Sequence, residues 1–214
     1  MPDTAMPGAR LAPIRPATVR ARHAASLVVL RRRASGDSEL LMGMRGARHR
    51  FMPNRLVFPG GAVDTADLTA AVGAPLAPHT RALLERKANP RLAHGLGIAT
   101  ARELAEETGL TLGDPPALDG LDYLCRAVTP PPGPVRFNAR FLVVEADRVS
   151  GTLAGSGELE DLRFIDLDVA LALDLAAPTR FVIGQLRAWM AMSAAERRAP
   201  RRTALLTRQA WRLE

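Results

Sequence analysis

The chain has 214 residues, 47% of them hydrophobic and 24% charged, which is enough for one globular domain that buries its core without staples. A single cysteine, Cys125, excludes an internal disulfide framework and suits a reducing, cytoplasmic setting, and no apolar run is long enough to read as a membrane span. The net charge of +7 is carried almost wholly by arginine, which could draw phosphate-bearing ligands but also reads as a plain compositional bias toward Arg, Ala and Pro.

Residues 1–22 are rich in Pro and Arg, lack an apolar core, and read as a disordered arm rather than a transit peptide. Residues 23–214 read as a single domain. AASLVVLRR contains the continuous apolar run Leu27 to Leu30 and predicts a strand; after the turn RASGDS, ELLMGMR predicts a second, and the two suggest a hairpin. From Gly46 to Phe58 the chain is basic and irregular, a loop entering a short strand, and PGG at 59–61 reads as a turn. Residues 62–95 carry little periodicity, with RALLERKANPRLAHGLG expected to form one or two short helices interrupted at Asn89-Pro90.

A helix is expected from about Gly97 to Thr108, with Ile98, Ala101, Leu104 and Ala105 facing the core and Gly109 as its stop. LDYLCRAVT and VRFNARFLVVEA predict strands separated by TPPPGP, and DLRFIDL a further short strand. DVALALDLA and the stretch at about 178–198 predict C-terminal helices, the latter with Phe181, Val182, Leu186 and Trp189 on one face as core or dimer surface. This order implies an α/β (α+β mixed) domain, a mixed sheet covered by helices.

The chemistry concentrates in ARELAEETGL, residues 101–110. Glu103, Glu106 and Glu107 crowd the end of a helix, where acids are disfavoured by roughly 0.3–1 kcal/mol each. On a helix they fall within an arc of about 100°. Carboxylates gathered without intervening lysines form either a solvated acidic tail or a site for a hard divalent cation.

Arg102 to Leu110 reproduces R-E-U-x-E-E-x-G-U (U aliphatic), the second half of the Nudix box, and Phe58-Pro59-Gly60-Gly61 resembles the strand end that opens it. From about Ala24 to Leu175 the sequence therefore resembles the Nudix hydrolases, which implies an α/β/α sandwich with a catalytic loop-helix-loop. By that resemblance Glu106 and Glu107 should ligate Mg²⁺ or Mn²⁺, with the Gly60 carbonyl completing the shell. Glu103 should be a further ligand or the proton acceptor, and Arg102 should hold a glutamate in place by an ion pair. Two features depart from the motif. Its first Glu is Asp67, and thirty-four residues (68 to 101) precede Arg102 where the motif has seven, an insertion of 27 at about 68–96 that could form a lid, a dimer contact or a substrate wall.

Upstream, Arg45 and Arg50 fall in register with two arginines of the coenzyme A-cleaving branch, whereas Met42, Gly43, Gly46 and Asn54 do not match it. The expected substrate is coenzyme A or an acyl derivative, with Arg45, Arg50, Phe58 and Gly61 against it. ADP-ribose, another nucleoside diphosphate or an RNA cap is the alternative within the chemistry. Arg45, Arg48, Arg50 and Arg55 also read as a generic basic rim. Glu158, then Glu160, is expected to supply an accessory ligand or base from SGELEDLRF. A non-catalytic nucleotide- or nucleic-acid-binding protein is the competing class, and the 4% aromatic content argues against single-strand binding. A homodimer stays open. The histidines 23, 49, 79 and 94 show no ligand spacing, and Cys125 reads as a buried small hydrophobe.

Overall fold

The computed structural model describes residues 19–46, 53–155, 157–208 and 210–214. The expected disordered arm lies outside these residues up to position 18, and the chain is already in a strand at Arg22. The strands are β1 (Arg22–Arg32), β2 (Ser38–Arg45), β3 (Leu56–Val57), β4 (Gly60–Ala62), β5 (Leu110–Thr111), β6 (Asp122–Val128), β7 (Phe137–Glu145), β8 (Ser150–Gly151), β9 (Leu159–Asp166), β10 (Ala204–Thr207) and β11 (Ala210–Leu213). The helices are α1 (Pro78–Glu85), α2 (Pro90–Thr108), α3 (Leu167–Ala172), α4 (Ala177–Ala191) and α5 (Ala194–Arg198).

β1 organises the main sheet. Along one edge it pairs in parallel with β7 from Arg22 to Leu30; along the other it meets β4 at Ala24–Ser26 and then β2 at Leu30–Arg32, both antiparallel. The full order is β11-β10-β6-β7-β1-β2-β3, with β9 also on β2. Side chains alternate across a strand, so Ala25, Leu27 and Val29 enter the core beneath α1 and α2, while Val28 and Leu30 enter the core beneath α3 and α4. The result is a mixed sheet between two helical layers.

α2 is longer than its sequence suggests. Pro90 occupies the first turn, where its missing N–H costs nothing, and the Asn89 side chain accepts from the Leu92 N–H at 2.8 Å, so Asn-Pro starts the helix instead of breaking it. The expected insertion at 68–96 therefore ends as helix from position 90. Gly95 and Gly97 let α2 lie against the preceding segment and its neighbours: an added Cβ would come within 2.7 Å of Leu68 and 2.8 Å of Leu118. Leu76, Leu83 and Leu84 of the 68–89 segment are buried in the same core, and Thr80 donates to the Leu121 carbonyl at 2.7 Å. The segment is a packed part of the domain.

Several expectations need correction. PGG is not a free turn, because Gly60 and Gly61 lie in β4, paired with β1. Ala105 is exposed, whereas Ile98, Ala101 and Leu104 are buried as expected. The last helical stretch is divided at Ser193, which caps α5 reciprocally with Glu196. Trp189 is buried, so its face is core. The β10–β11 hairpin was not foreseen; it joins the sheet through parallel pairing of β10 with β6.

Removing the cap should expose its worth. Asn89→Ala should lower unfolding stability by about 1 kcal/mol, read as a reduced urea midpoint at constant slope. An unchanged midpoint would refute the capping assignment.

Candidate active site

The C-terminal half of α2 lies against β4, and the contact is made by carboxylates and glycines. Glu103 and Glu107, one helical turn apart, are 9% and 3% exposed, whereas Glu106 faces solvent. The Gly60 N–H donates to Glu107 Oε2 at 2.7 Å. A Cβ on Gly61 would lie 2.2 Å from Glu103 Oε1, and one on Gly60 would lie 2.5 Å from the Ala25 carbonyl oxygen. At Gly60 a side chain would meet fixed backbone, and at Gly61 it would displace the Glu103 carboxylate from its place, which is why two glycines stand where the strand meets the acids.

Arg102 ties this arrangement together. Its Nε and Nη2 donate to the two oxygens of Asp67, each at 3.0 Å, and Nη2 also reaches the Ala62 carbonyl at 3.0 Å. Nη1 donates to Glu103 Oε1 at 2.8 Å and to Glu106 Oε2 at 2.9 Å. Asp67, 2% exposed, accepts in addition from the Asp64 N–H at 2.8 Å. The short carboxylate at the motif's first acid position is thus committed to the guanidinium. The hydrogen bonds it donates to Asp67 above all, against the opposing cost of burial, raise the arginine's affinity for its proton.

The two buried glutamates have the opposite character. Burial pushes Glu107 up to about 7, against the Gly60 N–H and the field of Arg45, with Glu103 and Glu158 adding repulsion. Burial also raises Glu103, opposed by Arg102 and assisted by Glu106 and Glu158. Glu158 therefore stands close enough to act on both, while Glu160 is exposed on β9 and Asp161 pairs with Arg163.

Arg45, at the end of β2, has a buried Nε with no partner among the described residues. It lines a cavity of about 430 Å³ together with Phe58, Gly60, Gly61, Phe141 and Phe181, closed at another side by Arg208 and Trp211 of the C-terminal hairpin. Phe58 is itself largely buried. Arg48, His49 and Arg50 lie outside the described residues. Arg55 is paired with Asp174. The remaining histidines are engaged elsewhere, His23 with Arg140, His79 with Asp122 and His94 with the Ala70 carbonyl. Burial raises the Cys125 thiol, as befits an inert core residue. The hairpin wall had no motif to announce it, and the Asp67–Arg102 pair could have been read only from the acid's place in the motif.

The donor set suits a hard divalent cation: oxygen ligands, two of them carboxylates whose charged forms the protein under-compensates. Among the described residues no group of three or more ligating side chains is already drawn together, and Glu103 and Glu106 are turned onto Arg102.

No family model matches the chain, and no curated protein matches it. Solved structures do. A NUDIX hydrolase from Alicyclobacillus acidocaldarius is 27% identical, with 78% of this chain and 91% of that chain covered and a TM-score of 0.61. A MutT protein from Methanosarcina mazei Go1 is 17% identical over 82% of this chain and 100% of that one, with a TM-score of 0.51. A MutT NUDIX hydrolase from Burkholderia pseudomallei is 20% identical over 78% and 99%, with a TM-score of 0.50. The latter two share the fold; the first supports an enzyme of the same kind. The fold is that of the Nudix hydrolases. Among the described residues, no helix is long and apolar enough to cross a membrane.

The raised Glu107 has a consequence for stability. Between the unfolded carboxyl value and about 7 the folded state holds the extra proton, so without divalent cations this group costs stability progressively as pH rises and fully above about 7. Glu107→Gln should therefore melt higher than the parent in chelator at about pH 8, with the gap closing toward about pH 4.5. A gap independent of pH would refute the assignment.

Proposed function

We propose that the chain hydrolyses a phosphorus anhydride in a nucleoside diphosphate-linked compound with Mg²⁺ or Mn²⁺ as cofactor. Coenzyme A or an acyl derivative is the preferred substrate, giving 3′,5′-ADP and a 4′-phosphopantetheine compound. The observation that carries the hydrolytic reading is the pair of buried carboxylates, Glu103 and Glu107, one helical turn apart and held by Arg102 and by the Gly60 N–H.

Glu106 and Glu107, with Glu103 and the Gly60 carbonyl, are the groups that would hold the cation. When bound, it would neutralise charge on the phosphate oxygens and make water a better nucleophile at neutral pH. The chain's own contribution is positioning and proton transfer. A water oxygen forms the new bond to phosphorus, the bridging oxygen leaves with the bonding pair, and the water's proton passes to a carboxylate. Glu103 suits that acceptor role, because burial makes its protonated form accessible. Glu158 is the second acid within electrostatic reach. Arg102 holds its carboxylates and leaves no N–H for substrate.

Arg45 is placed differently. Its Nε, without a partner among the described residues, suits a phosphate oxygen. The aromatic, largely apolar cavity beside it suits the part of the substrate that does not react. Coenzyme A supplies both features, an uncharged pantetheine arm with methyl and methylene groups and a phosphate outside the reacting diphosphate.

A hydrolysis panel decides between substrates. Coenzyme A, acetyl-CoA, ADP-ribose, NADH and a dinucleoside polyphosphate, each with Mg²⁺ and with Mn²⁺, should give fastest product formation with the coenzyme A compounds. A preference for ADP-ribose would remove the coenzyme A assignment and keep the hydrolase. Glu106→Gln and Glu107→Gln should each lower kcat by at least about a hundredfold with the fold intact by circular dichroism. Full turnover in both would overturn the hydrolytic site itself.

A further inference from the structure

A second concavity, of about 380 Å³, shares no residue with the first. It is formed by α1, the end of α5 and the segment 199–202 that leads into β10. Its wall carries Arg86, Arg198, Arg201, Arg202 and His79, and no aspartate or glutamate. Like charges brought together in this way repel unless something neutralises them.

Of the acids nearby, Asp119 takes Arg148 at 2.8 Å, while Asp122, which accepts from Thr80 at 3.2 Å, is paired with His79 of the wall and is the one acid whose field reaches Arg201. The guanidiniums end instead on neutral carbonyls: Arg86 on Arg201 at 2.7 Å, Arg201 on Tyr123 at 2.6 Å, Arg202 on Leu213 at 2.8 Å. A carbonyl satisfies one N–H and cancels no charge. Nη1 of Arg201 is buried and has no partner among the described residues. An unmet buried donor on a charged group is costly, and such a group calls for a missing acceptor.

We propose that this groove binds the phosphomonoester group of a small molecule, with the anion among the four guanidiniums and the organic part against Leu83 and Pro200. A phosphate dianion offers several terminal oxygens, and guanidinium forks match them; a carboxylate would cancel only one of the converging charges. The volume is that of a small-molecule site, whereas a nucleic acid strand needs an extended basic track. The groove also gives the 68–89 segment a role besides packing, since α1 supplies His79 and Leu83 and Arg86 follows at its end. The site is independent of the hydrolytic reading.

The test is calorimetric titration of the full chain, in chelator and at fixed salt, with AMP and with adenosine as its phosphate-free control. AMP should bind at least about tenfold more tightly than adenosine. Arg198→Ala combined with Arg202→Ala should weaken AMP by at least about tenfold with an unchanged melting temperature, and the single charge reversal Arg198→Glu should act in the same direction. The loss caused by the groove variants should be the same in an Arg45→Ala background, which removes any share of AMP held by the other cavity. AMP binding no better than adenosine would overturn the proposal. So would AMP binding that survives the groove variants and disappears with Arg45→Ala.

Discussion

Every N–H of the Arg102 guanidinium is used inside the protein. The site depends on this one side chain. Its acceptors come from three separate pieces of chain: Ala62 at the end of β4, Asp67 in the single 3₁₀ turn that follows, and Glu103 and Glu106 on α2. A lysine could not do this, because a point charge on a flexible stem lacks the rigid fork that grips Asp67 through two parallel bonds. Asp67 is one methylene shorter than the glutamate the motif calls for, and it still meets the guanidinium with both oxygens at 3.0 Å. What the shorter acid loses in reach, the position of the 3₁₀ turn restores.

The same packing sets the electrostatics. Drawing Asp67 and Arg102 together neutralises one acid and leaves Glu103 and Glu106 sharing the same guanidinium with it, while the positive field on Glu107 is that of Arg45. Glu106 is exposed and can rely on water. Glu103 and Glu107 are buried, and burial dominates both. A fold that needed only stability would put a neutral or apolar side chain at position 107, because the penalty on a buried, under-compensated carboxylate persists across the neutral range. A carboxylate held at such a cost is of the kind that clusters at sites where charge is met by something from outside.

Much of this could be read from the sequence, and the remainder was hidden for identifiable reasons. The β1–β2 hairpin and the core strands were legible because Leu27 to Leu30 and ELLMGMR are strongly apolar and bounded by turn residues. The acids of α2 were legible because their spacing and order are specific. The start of α2 was not: Asn-Pro signals either a break or a beginning, and only the Leu92 N–H on the Asn89 side chain decides. The glycines of β4 looked like a turn because composition cannot show that the space for a side chain is already filled by Glu103. The burial of Glu107 was equally invisible, since a helical wheel places the acids together without saying whether the face meets water or a strand. The β10–β11 hairpin lies in a short Arg-rich tail whose strand character comes from pairing with β6 and not from local pattern.

The sheet itself explains how the carboxylates and the cavity can serve one ligand. Glu103 and Glu107 reach β4 from α2, beneath one face, whereas Phe141 and Phe181 of the cavity pack with the core beneath α3 and α4. A continuous sheet with ordinary side chains would separate the two. Gly60 and Gly61 belong to both: they line the cavity, and they touch Glu107 and Glu103. Because they carry no side chains, β4 presents only backbone at that point. Arg45 stands at the same boundary, close enough for its field to act on Glu107, while its Nε has no partner among the described residues. A ligand seated among the aromatics would lie against the same two residues that touch the carboxylates.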